Sequence, residues 1–324
     1  MDLQFNISRK SSEEDERRDF DFIVIGAGAA GLSAAVYAVR SGLSAVVLDK
    51  QVAGGLTAES PLVENYLGFK AIKGTDLARE FINHASEYVQ IRENAEVNSI
   101  RKEGDLVKIY ASDGEYTAKA VAITTGTSHK KLGIPGEEEY FGKGLSYCST
   151  CDGYLFKGKD VVVIGGGNSG AIATISMSEY TNRISIIEFM PRYMCEKAYV
   201  RTIENKEIPY ILNSQVTEVV GDGKKVTEVK YKNRESGEMN EIKTDGVFIY
   251  VGLVPQTSLL KGSGVELSEK GYIVIDDKGR TNIEGIYAAG DVTQGTLAQI
   301  ATAVGDGCKV ALTAYSDLVK SGRR

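Results

Sequence analysis

Phe20-Asp21-Phe22-Ile23-Val24-Ile25-Gly26-Ala27-Gly28-Ala29-Ala30-Gly31 decides the fold: a β-branched run breaks on G-x-G-x-x-G and passes into the Ala-rich stretch 32–39. Strand, glycine turn and helix in that order form the phosphate end of a dinucleotide-binding unit. The first glycine permits the tight turn, the second lets the backbone approach a pyrophosphate, and the third lets the helix lie close on the strand. The helix N-terminus then offers partial positive charge to the phosphates. Residues 22–39 carry no charge, about the shortest length that spans a bilayer. The glycines and the change from β-branched residues to alanine divide that stretch, so it reads as no membrane span.

The chain repeats this design. Val161-Val162-Val163-Ile164 runs into Gly165-Gly166-Gly167-Asn168-Ser169-Gly170 and a second Ala-rich stretch. Each copy continues into an apolar run that ends on an acid: Ser44-Ala45-Val46-Val47-Leu48 leads to Asp49, and Ile184-Ser185-Ile186-Ile187 leads to Glu188. Gly26 to Asp49 and Gly165 to Glu188 are equal spacings, and an acid at that place accepts ribose hydroxyls. A single G-x-G-x-x-G occurs wherever a helix packs tightly on a strand; two copies with matched acids point to two dinucleotide sites. The first takes Gly26, Gly28, Ala29, Ala30, Gly31, Asp49 and Lys50. The second takes Gly165, Gly167, Asn168, Ser169, Gly170 and Glu188, as a nicotinamide-nucleotide site.

Each copy then passes through a charge-alternating antiparallel stretch, 96–118 and 216–243, and closes on a β-run and a glycine, Val121-Ala122-Ile123-Thr124-Thr125-Gly126 and Val247-Phe248-Ile249-Tyr250-Val251-Gly252. The two glycines suit hinges. The tail, with Gly285-Ile286-Tyr287-Ala288-Ala289-Gly290-Asp291 and a helical pattern from Leu297, returns to the first unit and completes its site. The expected architecture is α/β, two Rossmann-like three-layer domains with the second inserted in the first. Residues 1–18 form a flexible extension, 19–126 with 253–324 the first domain, and 127–252 the insertion.

Composition narrows the function. With 324 residues, 42% hydrophobic and 25% charged, the chain reads as a soluble globular protein, and a net charge of −6 argues against a nucleic-acid partner. No apolar leader follows the start, which predicts no signal peptide and a cytoplasmic protein. The four cysteines are too few for a secreted disulfide scaffold. Only Cys148 and Cys151 are close, as C-x-x-C, a spacing that suits a catalytic pair or half a metal site. A zinc site needs two more ligands. Cys195 and Cys308 are isolated and neither His84 nor His129 falls at ligand spacing, so no metal is expected. Asp152 directly follows the pair and is the natural proton carrier.

Ser146-Tyr147-Cys148-Ser149-Thr150-Cys151-Asp152-Gly153, with Val63-Glu64-Asn65-Tyr66, Thr124-Thr125-Gly126-Thr127 and Ala288-Ala289-Gly290-Asp291, resembles the low-molecular-weight thioredoxin reductases, most closely the type of Thermoplasma-like archaea, from Asp19 to the C-terminal helix. The resemblance implies FAD as cofactor, a homodimer, and a thioredoxin-like protein partner. It implies that Gly26, Gly28 and Gly31 hold the FAD pyrophosphate and Asp49 the adenosine ribose. Gly55, Leu56, Thr57 and Asn65 would lie along the flavin, with Thr125, Gly126 and Gly290 beside the cofactor. Asp291 would bind the ribityl chain, while Ala298, Gln299 and Ile300 would cap the ring. Leu56 stands where the family often has Gln. The pairing of Cys148 with Cys151 and their roles also come from the resemblance: Cys151 is flavin-proximal and Cys148 attacks the partner. So does a rotation of the inserted domain that presents the disulfide and the nucleotide to the flavin in turn.

The electron donor departs from the family. NADPH-dependent members carry H-R-R-x-x-x-R where this chain reads Glu188-Phe189-Met190-Pro191-Arg192-Tyr193-Met194. Every arginine position is non-basic, Arg192 is displaced, and Ile172 replaces a family acid. Glu188 repels a 2′-phosphate and accepts hydroxyls. NADPH is therefore expected to be a poor donor, with NADH, or a ferredoxin or another reduced flavin, in its place. The alternatives are an FAD-dependent dithiol oxidase that passes electrons to oxygen, and a non-enzymatic flavin-binding interaction protein. An alkyl hydroperoxide reductase flavoprotein would need an N-terminal thioredoxin-like extension, and only about twenty mostly polar residues precede Phe20.

Overall fold

The computed structural model describes residues 17–60, 63, 65–181 and 183–324. The expected N-terminal extension lies outside the described residues up to position 16, as do Glu64 and the side chain of Cys151. The chain forms two compact units. One comprises the described residues up to Glu59, Asn65–Ser128 and Val254–Arg324; the other comprises His129–Leu253 with Ser60 and Val63.

In the first unit β1 (Asp19–Ile25), β2 (Ala45–Leu48), β3 (Gln90–Arg92) and the C-terminal half of β6 (Gly114–Ile123) run parallel. The late strand β17 (Ile286–Ala288) joins the far side of β6, giving the parallel order β3-β2-β1-β6-β17. The other half of β6 pairs antiparallel with β5 (Leu106–Ala111), and β5 with β4 (Val97–Glu103). β1 is apolar on both faces because both are covered. Phe22 and Val24 join one core with Ala34, Ala38, Val310 and Ala314, whereas Ile23 and Ile25 join the opposite core with Val46, Leu48 and Val121. Each such buried side chain contributes about 1.5–3 kcal/mol, so a charge at Val24 would break the sheet. The helical cover is α1 (Ala29–Arg40) and α7 (Ile300–Lys320), which meet closely: a Cβ at Gly307 would collide with Ala30 O. Two further helices, α2 (Gly55–Glu59) and α3 (Gly74–Ser86), lie between β2 and β3 in sequence.

The second unit repeats the plan. β8 (Leu145–Ser146), β9 (Val161–Ile164), β10 (Ile184–Ile187), β11 (Tyr210–Ile211) and β15 (Gly246–Ile249) form a parallel sheet in the order β11-β10-β9-β15-β8. Val161 and Val163 face one core and Val162 and Ile164 the other. β12 (Ser214–Gly221), β13 (Val226–Asn233) and β14 (Met239–Lys243) make an antiparallel meander. Its helices are α4 (Ser149–Asp152), α5 (Asn168–Met177) and α6 (Lys197–Asn205). The chain leaves and re-enters the first unit through β7 (Thr127–His129) and β16 (Leu253–Pro255), which pair with each other. Among the described residues no helix is long and apolar enough to cross a membrane.

Candidate active site

The glycine turn of the first unit is closed by contacts that only glycine allows. Gly26 has φ +107°, and a Cβ there would meet Thr124 O; a Cβ on Gly31 would collide with Gly26 O. Gly28, the N-cap of α1, instead faces open space, with nothing within 4 Å of an added Cβ. Asp49 holds the turn from the other side. Its Oδ2 accepts Ala27 N–H at 2.6 Å and its Oδ1 accepts Gln51 N–H at 2.8 Å. A carboxylate has about four acceptor sites, so capacity for a ribose remains.

The other residues expected at this site belong to the same unit. Gly55 begins α2 with φ +55°, and a Cβ there would stand 3.1 Å from Gly28 Cα, so α2 starts against the turn; Leu56 is half-buried and Thr57 buried behind it. Asn65 Nδ2 donates to Gln299 Oε1 at 3.1 Å, and Ala298 (φ +51°), Gln299 and Ile300 lead into α7, which has no side-chain cap. Thr125 Oγ1 donates to Gln256 O at 2.6 Å and Lys50 Nζ to Gln256 Oε1 at 3.3 Å, while Gly126 (φ +63°) faces open space. Asp291 follows Gly290 in a single 3₁₀ turn. Its Oδ1 is buried without a hydrogen-bond partner, and burial, then the charge of Asp306, pushes its carboxyl up to about 6. A buried acceptor left unpaired is costly, and a ligand hydroxyl would satisfy it. The residues present therefore fit FAD.

The second unit carries the same turn. A Cβ on Gly165 (φ +97°) would meet Tyr250 O, and one on Gly170 would collide with Gly165 O. Glu188 repeats Asp49: Oε2 accepts Gly166 N–H at 2.7 Å and Oε1 accepts Met190 N–H at 2.8 Å. Gly167 caps α5 and again faces open space, with Ser169 exposed beyond it. Asn168 exchanges two hydrogen bonds with Glu196, at 3.0 and 2.8 Å. Arg234 lays its guanidinium on the Phe189 ring, 3.7 Å from the centroid, and donates to Phe189 O at 2.9 Å. A cation thus covers the residue after the acid although the arginine positions of the motif are non-basic.

The C-x-x-C motif lies in this unit, at the start of the four-residue α4. Cys148 is disulfide-bonded, while Cys195 and Cys308 are free thiols. Asp152, 6% exposed, ends α4, and Ser146 donates its hydroxyl to Asp152 Oδ2. The same Ser146 Oγ accepts Cys148 N–H at 3.0 Å, tying acid and motif together. Asp152 Oδ1 is buried without a partner, and burial pushes the carboxyl up to about 6 against the lowering effect of Ser146. Near neutral pH this group can hold or release a proton.

Residues without a sequence signal complete the surroundings. Tyr250 O–H donates to Ser149 Oγ at 2.7 Å and accepts Ser149 N–H at 2.7 Å. His129, set aside in the sequence, stacks on Tyr147 with centroids 4.7 Å apart, and burial pulls its imidazolium below the usual range. Tyr147 O–H in turn donates to the buried Glu137 at 2.9 Å. The stacked ring next to Cys148 follows from chain topology, which no local pattern reveals. Among the described residues no three His, Cys, Asp or Glu side chains group as metal ligands would.

A dinucleotide turn in each unit and a disulfide tied to a buried acid define an oxidoreductase that works on disulfides. The chain belongs to the pyridine nucleotide-disulphide oxidoreductase family, whose profile matches residues 20–307. It is 39% identical to the thioredoxin reductase of Listeria innocua serovar 6a over 293 residues, 90% of this chain and 92% of that one. Among solved structures it is similar to T. acidophilum thioredoxin reductase, at 67% identity and TM-score 0.70, covering 94% of this chain and 100% of that one. The thioredoxin reductase of Streptococcus pyogenes MGAS5005 matches at 35% identity and TM-score 0.84, over 94% of this chain and 99% of that one. The expected class, a flavoprotein with two Rossmann-like domains that reduces disulfides, is the one these relatives share.

Proposed function

We propose that the chain passes two electrons through FAD and the Cys148–Cys151 pair to a thioredoxin-like protein. The observation that carries this reading is the tie between Cys148, disulfide-bonded, and Asp152, whose buried carboxyl is poised near 6, both held by Ser146. FAD would be held by Gly26, Gly28, Ala29, Ala30 and Gly31 at its pyrophosphate, by Asp49 at the ribose and by Asp291 at the ribityl chain. Lys50, Gly55, Leu56, Thr57, Asn65, Thr125, Gly126, Gly290, Ala298, Gln299 and Ile300 would complete the site. Bound there, FAD supplies a two-electron carrier at a potential able to open a disulfide.

The protein's own groups do the rest. Two electrons and two protons convert the Cys148–Cys151 bond to a dithiol. Cys148 thiolate then attacks one sulfur of the partner's disulfide, a mixed disulfide forms, and the partner's other sulfur leaves and takes a proton from Asp152. Cys151 gives its thiol proton to the leaving partner sulfur as it attacks Cys148 Sγ, the original bond re-forms, and the partner departs as a dithiol. Replacing Cys151 with Ser should trap the mixed disulfide on Cys148 when reduced protein meets an oxidised thioredoxin; mass spectrometry that finds no adduct would count against the scheme.

The Glu188 turn supports a poor fit for NADPH, because a carboxylate stands at the turn and the Arg234 guanidinium is engaged with Phe189 and Asn213. NADH, a ferredoxin or another reduced flavin would then serve. Anaerobic stopped-flow with each donor decides, and flavin bleaching by micromolar NADPH as fast as turnover refutes the preference. Gly126 and Gly252, both with positive φ, suit a rotation of the inserted unit. A cross-link between the units should stop turnover and spare FAD binding. The setting proposed is a cytoplasmic homodimer, which light scattering of the holoprotein tests.

A further inference from the structure

Tyr250 and Thr124 are the same position of the two repeats. Thr124 N–H donates to Ile25 O at 2.8 Å and Tyr250 N–H to Ile164 O at 2.7 Å, and the carbonyl of each blocks a Cβ on the first glycine of its turn. Their side chains then part. Thr124 Oγ1 stays on its own turn, 2.9 Å from both Ile25 O and Gly26 O. Tyr250 leaves its turn without that bond and carries its hydroxyl to Ser149, between the two cysteines of the motif. A small hydroxyl residue suffices for the turn, as Thr124 shows. The ring of Tyr250 spans to the disulfide instead.

The geometry points to Tyr250 as a positioning residue that keeps the Cys148 disulfide reducing by withholding the Ser149 amide from the Cys148 sulfur. This rests on the disulfide reading given above. A thiolate is stabilised by N–H and O–H donors in its surroundings, and every such donor favours the dithiol state and raises the potential. Ser149 is the residue next to Cys148 and is itself buried, so its amide is a neighbouring donor shielded from water. Tyr250 takes the amide proton on its oxygen and fixes the Ser149 oxygen with its own proton. Burial keeps the phenol protonated above its ordinary range, so this arrangement holds across the working pH. With that amide engaged, the thiolate gains less, and the electrons are released more readily to a partner.

The test is a redox titration of the FAD-loaded protein in glutathione buffers. Two glutathione thiols give two electrons and two protons to the Cys148–Cys151 bond and leave as glutathione disulfide. Acid quenching, thiol labelling and mass spectrometry of the peptide spanning the motif then give the dithiol fraction. Tyr250→Phe should shift the equilibrium constant toward the dithiol by about tenfold, which is about 30 mV for this two-electron couple. Ser149→Ala retains the amide bond to Tyr250 and should shift it by less than about threefold, and Tyr250→His, with a polar ring, should fall between. The flavin spectrum and melting curve check that each variant folds, and the histidine variant answers the question should the phenylalanine variant not. A constant within twofold of the parent, or a shift toward the disulfide, in the folded variants overturns the role of Tyr250. A parent whose motif peptide shows no reducible bond at any buffer ratio overturns the disulfide reading instead.

Discussion

The two glycine turns share a backbone and differ in what reaches them. In both, the acid at the end of the second strand clamps the turn through one amide and its own loop through another, at 2.6 and 2.8 Å for Asp49 and at 2.7 and 2.8 Å for Glu188. Around the first, Gly55 and the unpaired buried Asp291 converge within one unit. Around the second, Asn168 pairs with Glu196, and Arg234 covers Phe189. The repeat supplies one backbone turn twice; the side chains that reach it are what differ between the copies.

The largest expected effect tests the scaffold. Gly31→Val forces α1 off β1, because even a Cβ collides with Gly26 O, and purified protein should lack FAD altogether. Gly170→Val makes the same collision in the second turn yet should leave the yellow holoprotein, with a destabilised second unit seen by limited proteolysis. Equal flavin loss in both would break the division of labour. Next comes chemistry: Asp152→Asn should cut reduction of a protein disulfide about 100-fold while FAD content stays unchanged, and should remove the inflection near pH 6 from the rate profile.

Open space offers a sharper contrast. An added Cβ at Gly28 or Gly167 meets nothing within 4 Å, so a side chain begun at either position points into open space. Gly28→Val should weaken FAD at least about tenfold by intruding on the pyrophosphate, read by fluorescence titration of the apoprotein. Gly167→Val should leave turnover with a non-nucleotide donor unchanged, and slow only a donor that binds the second turn.

The two raised carboxyls give a smaller effect of definite sign. Asp152 and Asp291 sit near 6 when folded against an ordinary 3.8, so their stabilising protonation is complete below about 4 and lost as pH rises through about 6. The apoprotein should melt roughly 5 °C higher at pH 5 than at pH 7, and Asp291→Asn should flatten that slope. Smallest of all, Arg234→Ala should change the NADH-to-NADPH rate ratio less than about twofold, since its guanidinium is engaged with Phe189; a larger fall in the NADPH rate would make it a phosphate ligand.

Much of this was legible because it is local. β-branched run, glycines, alanine stretch and acid lie within one βαβ unit, and the period-2 burial of residues 22–25 follows from them. C-x-x-C followed by Asp is equally local. What escaped depends on long connections: Arg234 reaches Phe189 from the meander, Tyr250 reaches Ser149 from the end of β15, the sheet neighbour of β8, and His129 meets Tyr147 across a loop. Each of these residues reads in sequence as an ordinary strand or loop member, because its partner is set by which strands neighbour each other. Ser146 was close enough to see, two residues before Cys148, yet a serine in a strand end carries no signal until Asp152 turns back onto it.

The close fit of Gly307 on Ala30 has a consequence for biogenesis. Much of the helical cover of the first unit, with Val310, Ala311, Ala314 and Leu318, follows the inserted unit in the chain and leaves the ribosome after it. The bulk of the inserted unit, His129–Leu253, is one continuous stretch and can condense earlier. Translation would then deliver a finished disulfide-bearing module ahead of the compartment for its cofactor, and truncation near residue 300 should yield nascent chains that are protease-resistant from 129 to 253 and colourless.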